Sequence, residues 1–164
     1  MEINMNYDRI WQKIITPGEK IEYQFSIGNR YLFLYWLLWL LISLGSIVVY
    51  QSPLVPSLLF LGATFFYGFY FKIANAYAFT DHRVLVHRGW LSTNLVSIDY
   101  SKITNITVEE PFFTKIFTGT GSLTISTAGS IDGGVQLRHV AKPYQLKKIL
   151  DNLMTKHQTS NTSE

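Results

Sequence analysis

Between Arg30 and Lys72 the chain carries no Asp, Glu, Lys, Arg or His. A bilayer core of about 30 Å takes roughly 20 apolar helical residues. The uncharged run 31–71 is therefore too long for one span and long enough for two. Gln51-Ser52-Pro53-Leu54-Val55-Pro56 interrupts it near its middle with two prolines and two polar residues. Proline ends helices and belongs in turns. The expectation is a hairpin of two transmembrane helices over 31–71 with its turn at 51–56. Core helices of soluble proteins seldom run about 18 residues without a charge, and here two do so in succession.

Aromatic residues cluster at one side of this hairpin. Tyr31, Tyr35 and Trp36 open the first span, and Tyr67, Tyr70 and Phe71 close the second. Tyr and Trp favour the headgroup zone, so they form an aromatic belt on the Arg30/Lys72 side. Trp11, Tyr31, Trp36 and Tyr70 are the expected membrane-interface residues. The positive flanks Arg30 and Lys72, with Lys13 and Lys20 upstream, predict a multi-pass protein of the cytoplasmic membrane with both termini cytoplasmic. Neither span holds an ionisable side chain of the kind that marks transport paths, and neither has a GxxxG motif. The hairpin reads as an anchor.

Residues 1–30 contribute two elements ahead of it. Tyr7, Ile10, Trp11, Ile14 and Ile15 form one apolar helical stripe, ended by Thr16-Pro17-Gly18. Such a stripe serves equally as an interfacial helix with Trp11 among headgroups or as a helix packed on a folded domain. Ile21, Tyr23, Phe25 and Ile27 then alternate with Glu22, Gln24 and Ser26, the period of a half-buried strand. A strand needs a partner, and only the chain after the hairpin can supply one.

Residues 76–154 read as a β-rich domain. Short strands are expected at Ala76–Thr80, Arg83–Arg88, Asn94–Tyr100, Ile103–Val108, Ser122–Thr127 and Gly134–Val140, separated by Asp- and Gly-containing turns. Pro143 opens a final helix with Leu146, Ile149, Leu150 and Leu153 on one face. Residues 155–164 are polar and are expected to be a disordered tail.

In Tyr77-Ala78-Phe79-Thr80-Asp81-His82-Arg83-Val84-Leu85-Val86, Arg88-Gly89, Ser97-Ile98-Asp99-Tyr100-Ser101-Lys102-Ile103, Gly119-Thr120-Gly121-Ser122-Leu123-Thr124-Ile125 and the Pro143 helix, the chain resembles the bacterial pleckstrin-homology-like family in its membrane-flanked form. Pro17-Gly18-Glu19 is similar to that family's approach to its first span, and the resemblance covers residues 16–154. It implies a strongly bent antiparallel β-barrel or sandwich capped by one C-terminal helix. Lys142 stands where the family often has an Asp helix cap, and a lysine cannot accept that hydrogen bond.

No motif for chemistry stands out. Gly119-Thr120-Gly121 lacks the later Gly and Lys-Ser/Thr of a phosphate loop and reads as a turn. The chain has no cysteine, and His82 and His87 are expected to diverge, so no metal site and no cofactor is predicted. Glu109 and Glu110 are neighbours on a strand and face opposite sides. A net charge of +3 is too mild to argue for nucleic acid. Arg83, Arg88, Lys102, Lys115 and Arg138 are the candidate lipid- or partner-binding residues. Each cation placed near anionic headgroups contributes about 1 kcal/mol. Eukaryotic relatives of the fold often bind phosphoinositides through a basic first hairpin, which here holds only Arg83 and Arg88.

The expected function is a non-catalytic scaffold. It associates with a protein partner, or with its own copies, while anchored in the lipid bilayer. Sensing of anionic lipid is the alternative, and an enzyme lacking any known motif is the remote one.

Overall fold

The computed structural model describes residues 7–50, 54–89, 93–128 and 134–162. A short helix α1 (Asp8–Trp11) is followed by strand β1 (Ile21–Ser26) and the long helices α2 (Asn29–Tyr50) and α3 (Leu54–Ile73). Strands β2 (Asn75–Thr80), β3 (Arg83–Arg88) and β4 (Asn94–Asp99) come next. A 3-10 turn at Tyr100–Lys102 leads into β5 (Ile103–Glu109), the short helix α4 (Phe112–Phe117), β6 (Thr120–Thr127), β7 (Val135–Ala141) and the closing helix α5 (Pro143–Thr162).

The strands form two antiparallel sheets, ordered β1-β2-β3-β4 and β5-β6-β7. A bridge from Ile27 to Val140 links them. The alternating segment before the hairpin does pair with the chain after it: Gln24 lies opposite Ala78 and Ser26 opposite Ala76. The two helices are thus an excursion between neighbouring strands of one sheet.

Side-chain alternation along β2 explains both faces of that sheet. Tyr77 and Phe79 point into the main core with Val84, Val86, Ile98, Leu123, Ile125, Leu137, Val140, Leu146 and Leu150. Ala76 and Ala78 point the other way, and their small size leaves room for Tyr7 and Trp11 beside Leu85. Trp11 is only 1% exposed. It is therefore packed on the sheet and is not a headgroup anchor. The helix itself spans one turn, and Ile14 and Ile15 follow it outside regular helix.

Between α2 and α3, Trp36 stacks on Phe65 at 4.8 Å and lies where a side chain on Gly68 would collide with it. Trp36 therefore sits in the helix–helix seam. Farther along, Ser43 Oγ donates to the Ser57 carbonyl at 3.4 Å, a polar contact suited to close helix pairing. The outer faces are apolar and exposed, as at Leu44 of α2, 52% exposed, and Leu54 of α3, 71% exposed. Of the expected turn at 51–56, Leu54, Val55 and Pro56 belong to the first turn of α3, where Pro is tolerated. Gln51, Ser52 and Pro53 lie outside the described residues.

The C-terminal end also differs from expectation. Helix α5 runs to Thr162, so the segment expected as a disordered tail continues the helix. Its apolar stripe ends at Met154. Beyond that, His157 packs edge-on against Tyr100 at 5.9 Å, and Lys156 reaches Glu22 at 3.7 Å. Helix α4 had no counterpart in the sequence reading.

Candidate functional site at the hairpin base

Both long helices meet the sheets at one end of the domain. Gly28, the residue before α2, donates its N–H to the His139 carbonyl at 2.8 Å. After α3, the Ala74 carbonyl accepts from Gly89 N at 2.7 Å. Ser26 Oγ donates to the Lys72 carbonyl at 3.2 Å, which ties the entrance of the hairpin to its exit. His139 has a left-handed backbone, φ 53°, at the end of β7. Its ring stacks on Tyr31 at 4.1 Å and lies 6.4 Å from Phe71. Burial, aided by the Arg138 charge, holds the His139 pKa below its ordinary value. Neutral, flat and half-buried, this imidazole acts as a spacer under the feet of both helices.

Close approach of backbones is required here. A Cβ on Gly28 would come within 2.6 Å of Thr120 Cγ2. Thr120 in turn shares a 2.6 Å hydroxyl contact with Thr118, just past α4. The start of α2, the tip of β7 and the α4–β6 connection thus occupy one small region.

A groove of about 270 Å³ opens beside it between β1 and the start of α5. Lys72 lines it, almost wholly buried, with its Nζ donating to Asn29 Oδ1. Lys142 and Gln145 line it as well, and no carboxylate does so among the described residues. Lys142 takes φ 50°, and its carbonyl accepts from Gln145 N at 3.0 Å and Leu146 N at 3.3 Å. Helix α5 therefore starts without the side-chain cap that an Asp supplies. Such a groove suits a polar or anionic group. Lys72 was legible only as a flank of the hairpin, because nothing in the spacing shows that it turns back toward β1.

The five cations picked from the sequence do not converge on one surface. Arg83 pairs with Glu19, Nη2 to Oε2 at 2.6 Å, at the end of the sheet far from the hairpin. Lys102 reaches Asp99 at 3.6 Å near that same end. Arg88 and Arg138 meet around Gln136: Arg88 Nη2 donates to its carbonyl and Arg138 Nε to its Oε1 at 2.9 Å. Lys115 reaches Glu110 at 3.5 Å. Every one of the five is thus engaged with a group of its own chain. Of the other interface residues, Tyr31 is held by His139, and Tyr70 lines a small apolar hollow with Phe66, Phe69 and Ile73.

Among the histidines, His82 and His87 diverge. His82 instead meets His157, Nδ1 to Nδ1 at 3.5 Å. No group of three metal-ligating side chains occurs among the described residues.

Two apolar helices, two antiparallel sheets and a C-terminal helix packed on their core define a pleckstrin-homology-like (PH-like) protein, a class whose domains serve as binding modules. A family model described as "Bacterial PH domain" matches residues 31–154, and the chain belongs to that family. A solved structure with the same fold is a DUF1696 family protein with a pleckstrin-homology domain from Shewanella loihica PV-4. It is 13% identical, with a TM-score of 0.51, over 92% of this chain and 94% of that one. The comparison with curated proteins gave no match.

Proposed function

We propose that the chain is a membrane-anchored PH-like module, a non-catalytic scaffold that binds a protein partner or its own copies at the cytoplasmic membrane face. One observation carries the anchor: long apolar side chains on both helices, among them Leu38, Leu41 and Val48 on α2 and Leu58, Leu59 and Phe66 on α3, are more than half exposed. A core helix of a soluble protein hides such a surface, whereas a bilayer covers it without cost. Because β1 and β2 flank the hairpin, the domain cannot swing away on a linker. It is held flat against the membrane on the Arg30/Lys72 side, the side that the positive-inside rule assigns to the cytoplasm. Protein association is favoured over headgroup sensing because Arg83, Lys102 and Lys115 pair with carboxylates of this chain, which leaves only Arg88 and Arg138 of the five on neutral partners.

Two measurements test this reading. The full chain should stay in the membrane pellet after alkaline extraction, and release would end the anchor. Capture from detergent-solubilised membranes should then recover partners, or tagged second copies, that are lost when residues 76–154 are removed. An unchanged set of recovered proteins refutes the scaffold. The lipid alternative is checked with a chain whose residues 30–71 are replaced by a short Gly-Ser linker, since Ser26 and Lys72 are already in contact. Flotation of that chain with vesicles should not depend on anionic lipid content or salt.

A further inference from the structure

Helix α4 is built inside out for a water-exposed helix. Phe112, Phe113, Ile116 and Phe117 are all exposed, Phe113 to 72%. The two hydroxyls are satisfied within the helix and its flanks, and Thr118 is buried. Thr114 Oγ1 donates to the Pro111 carbonyl at 2.9 Å, and Thr118 Oγ1 bonds the Thr114 carbonyl at 2.6 Å and the Thr120 hydroxyl. Lys115 leans back to Glu110 at 3.5 Å and keeps its ammonium at the edge of the apolar face. A helix facing water shows the opposite arrangement, and contiguous apolar patches of this kind mark a surface that something covers.

The position of α4 identifies what covers it. Its last residue lies three positions before Thr120, which packs against Gly28 at the start of α2. A six-residue helix is only about 9 Å long. The C-terminal end of α4 therefore lies close to the point where the apolar hairpin begins. Tyr144, at the start of α5, is exposed on the same end and is joined to it through the Lys142 N–H to Gly119 carbonyl bond. Exposed aromatic residues of the domain are thus found at its hairpin end.

We infer that α4 is a third membrane contact, an aromatic foot that inserts into the interfacial layer of the bilayer beside the hairpin. The inference rests on the membrane-anchored reading. Hydrogen bonds closed by the Thr114 and Thr118 hydroxyls lower the penalty for leaving water. Apolar burial then drives insertion, at about 25 cal/mol per Å². With two helices and one foot, the contact has three points, which fixes the tilt of the domain as well as its attachment.

The absence of native cysteine makes the test clean. Single-cysteine variants F113C, L41C in the middle of α2 and K148C on the exposed face of α5 are spin-labelled in the full chain. They are reconstituted in phosphatidylcholine liposomes, which carry no net charge. Collision rates with oxygen, which concentrates in lipid, are compared with those of a water-soluble nickel chelate. The F113C label should be several-fold richer in oxygen contact than K148C and approach L41C. If L41C is lipid-exposed while F113C behaves like K148C, the foot is wrong and the anchor stands. If L41C itself is water-exposed, the anchor and the foot both fall. Spin–spin coupling between F113C labels on separate chains assigns α4 to a second copy and also overturns the inference.

Discussion

Arg83 and Glu19 stand 64 positions apart and meet in a two-point contact, Nη2 to Oε2 at 2.6 Å and Nε to Oε1 at 2.8 Å. The whole helical hairpin lies between them in the chain. Arg83 also donates to Thr16 Oγ1 at 3.1 Å, and Thr16 N donates to Glu19 Oε2 at 3.2 Å. Beside them, Lys20 and Asp81 exchange bonds through the Lys20 carbonyl, at 3.1 Å, and Asp81 Oδ1, at 3.3 Å. The segment before the hairpin is therefore clamped at the far end of β1 as well as at its base. An arginine chosen from the sequence as a binding residue is instead a fastener.

The clamp has a mutational and an acid signature. Arg83→Ala strands a carboxylate whose side chain is 4% exposed and should cost about 2–4 kcal/mol. Arg83→Lys should fall between, since a lysine cannot make the planar fork. The Arg83 hydrogen bond holds the Glu19 pKa down to about 2, from 4.5. The unfolded chain thus binds more protons between those values. The contribution is complete above about pH 4.5 and is lost as pH falls toward 2. Thermal unfolding in detergent, followed by far-ultraviolet circular dichroism, should show this slope in the wild type and not in Glu19→Gln. An unchanged Tm for Arg83→Ala would remove the clamp.

Gly28 tests the packing at the hairpin base. Its added methyl meets Thr120 Cγ2, a stiff branched side chain with no room to retreat. Gly28→Ala should cost about 1–3 kcal/mol through overpacking. In the Gly28→Ala/Thr120→Ser pair the clashing methyl is gone and the hydroxyl contact to Thr118 remains. Most of the loss should return, giving a coupling well outside additivity in a double-mutant cycle. Equal losses in the single and double variants would show that the two residues do not meet.

Two histidines set the response to mild acid. His87 is buried on β3 with its ring 6.5 Å from Trp11, and its Nδ1 has no hydrogen-bond partner among the described residues. Burial lowers its pKa from 6.5, and the same holds for His139. Each folded-state pKa lies below the unfolded value, so unfolding takes up protons as pH drops below 6.5, and stability declines there. His87→Gln should make this decline shallower, leaving the share of His139. Identical slopes in wild type and His87→Gln would show that His87 is not buried as a neutral ring.

What was legible in the sequence had a period or a composition that survives without context. Strand β1 alternates, α5 carries an i, i+3, i+4 stripe, and an uncharged run bounds α2 and α3. Helix α4 has no such signature. Its Phe-Phe-Thr-Lys-Ile-Phe run is one turn and a half long, with apolar groups outward, so a periodicity search sees only a loop. The last turns of α5 are polar and looked like a tail, because their partners Tyr100, His82 and Glu22 come from distant segments.

By itself the sequence determined that two long helices and a β-rich domain must form, because charge-free runs and side-chain periods are local properties. Only the tertiary structure decided which groups those elements bring together. The stripe of Tyr7 and Trp11 suits lipid and protein equally well, and the small side chains of Ala76 and Ala78 chose protein. The charges of Arg83 and Arg88 suit a headgroup equally well, and Glu19 and Gln136 took them first. A side chain's own chemistry limits its partners to a class. Selecting one member of that class requires the chain to return to the same place, and that depends on contacts far apart in sequence.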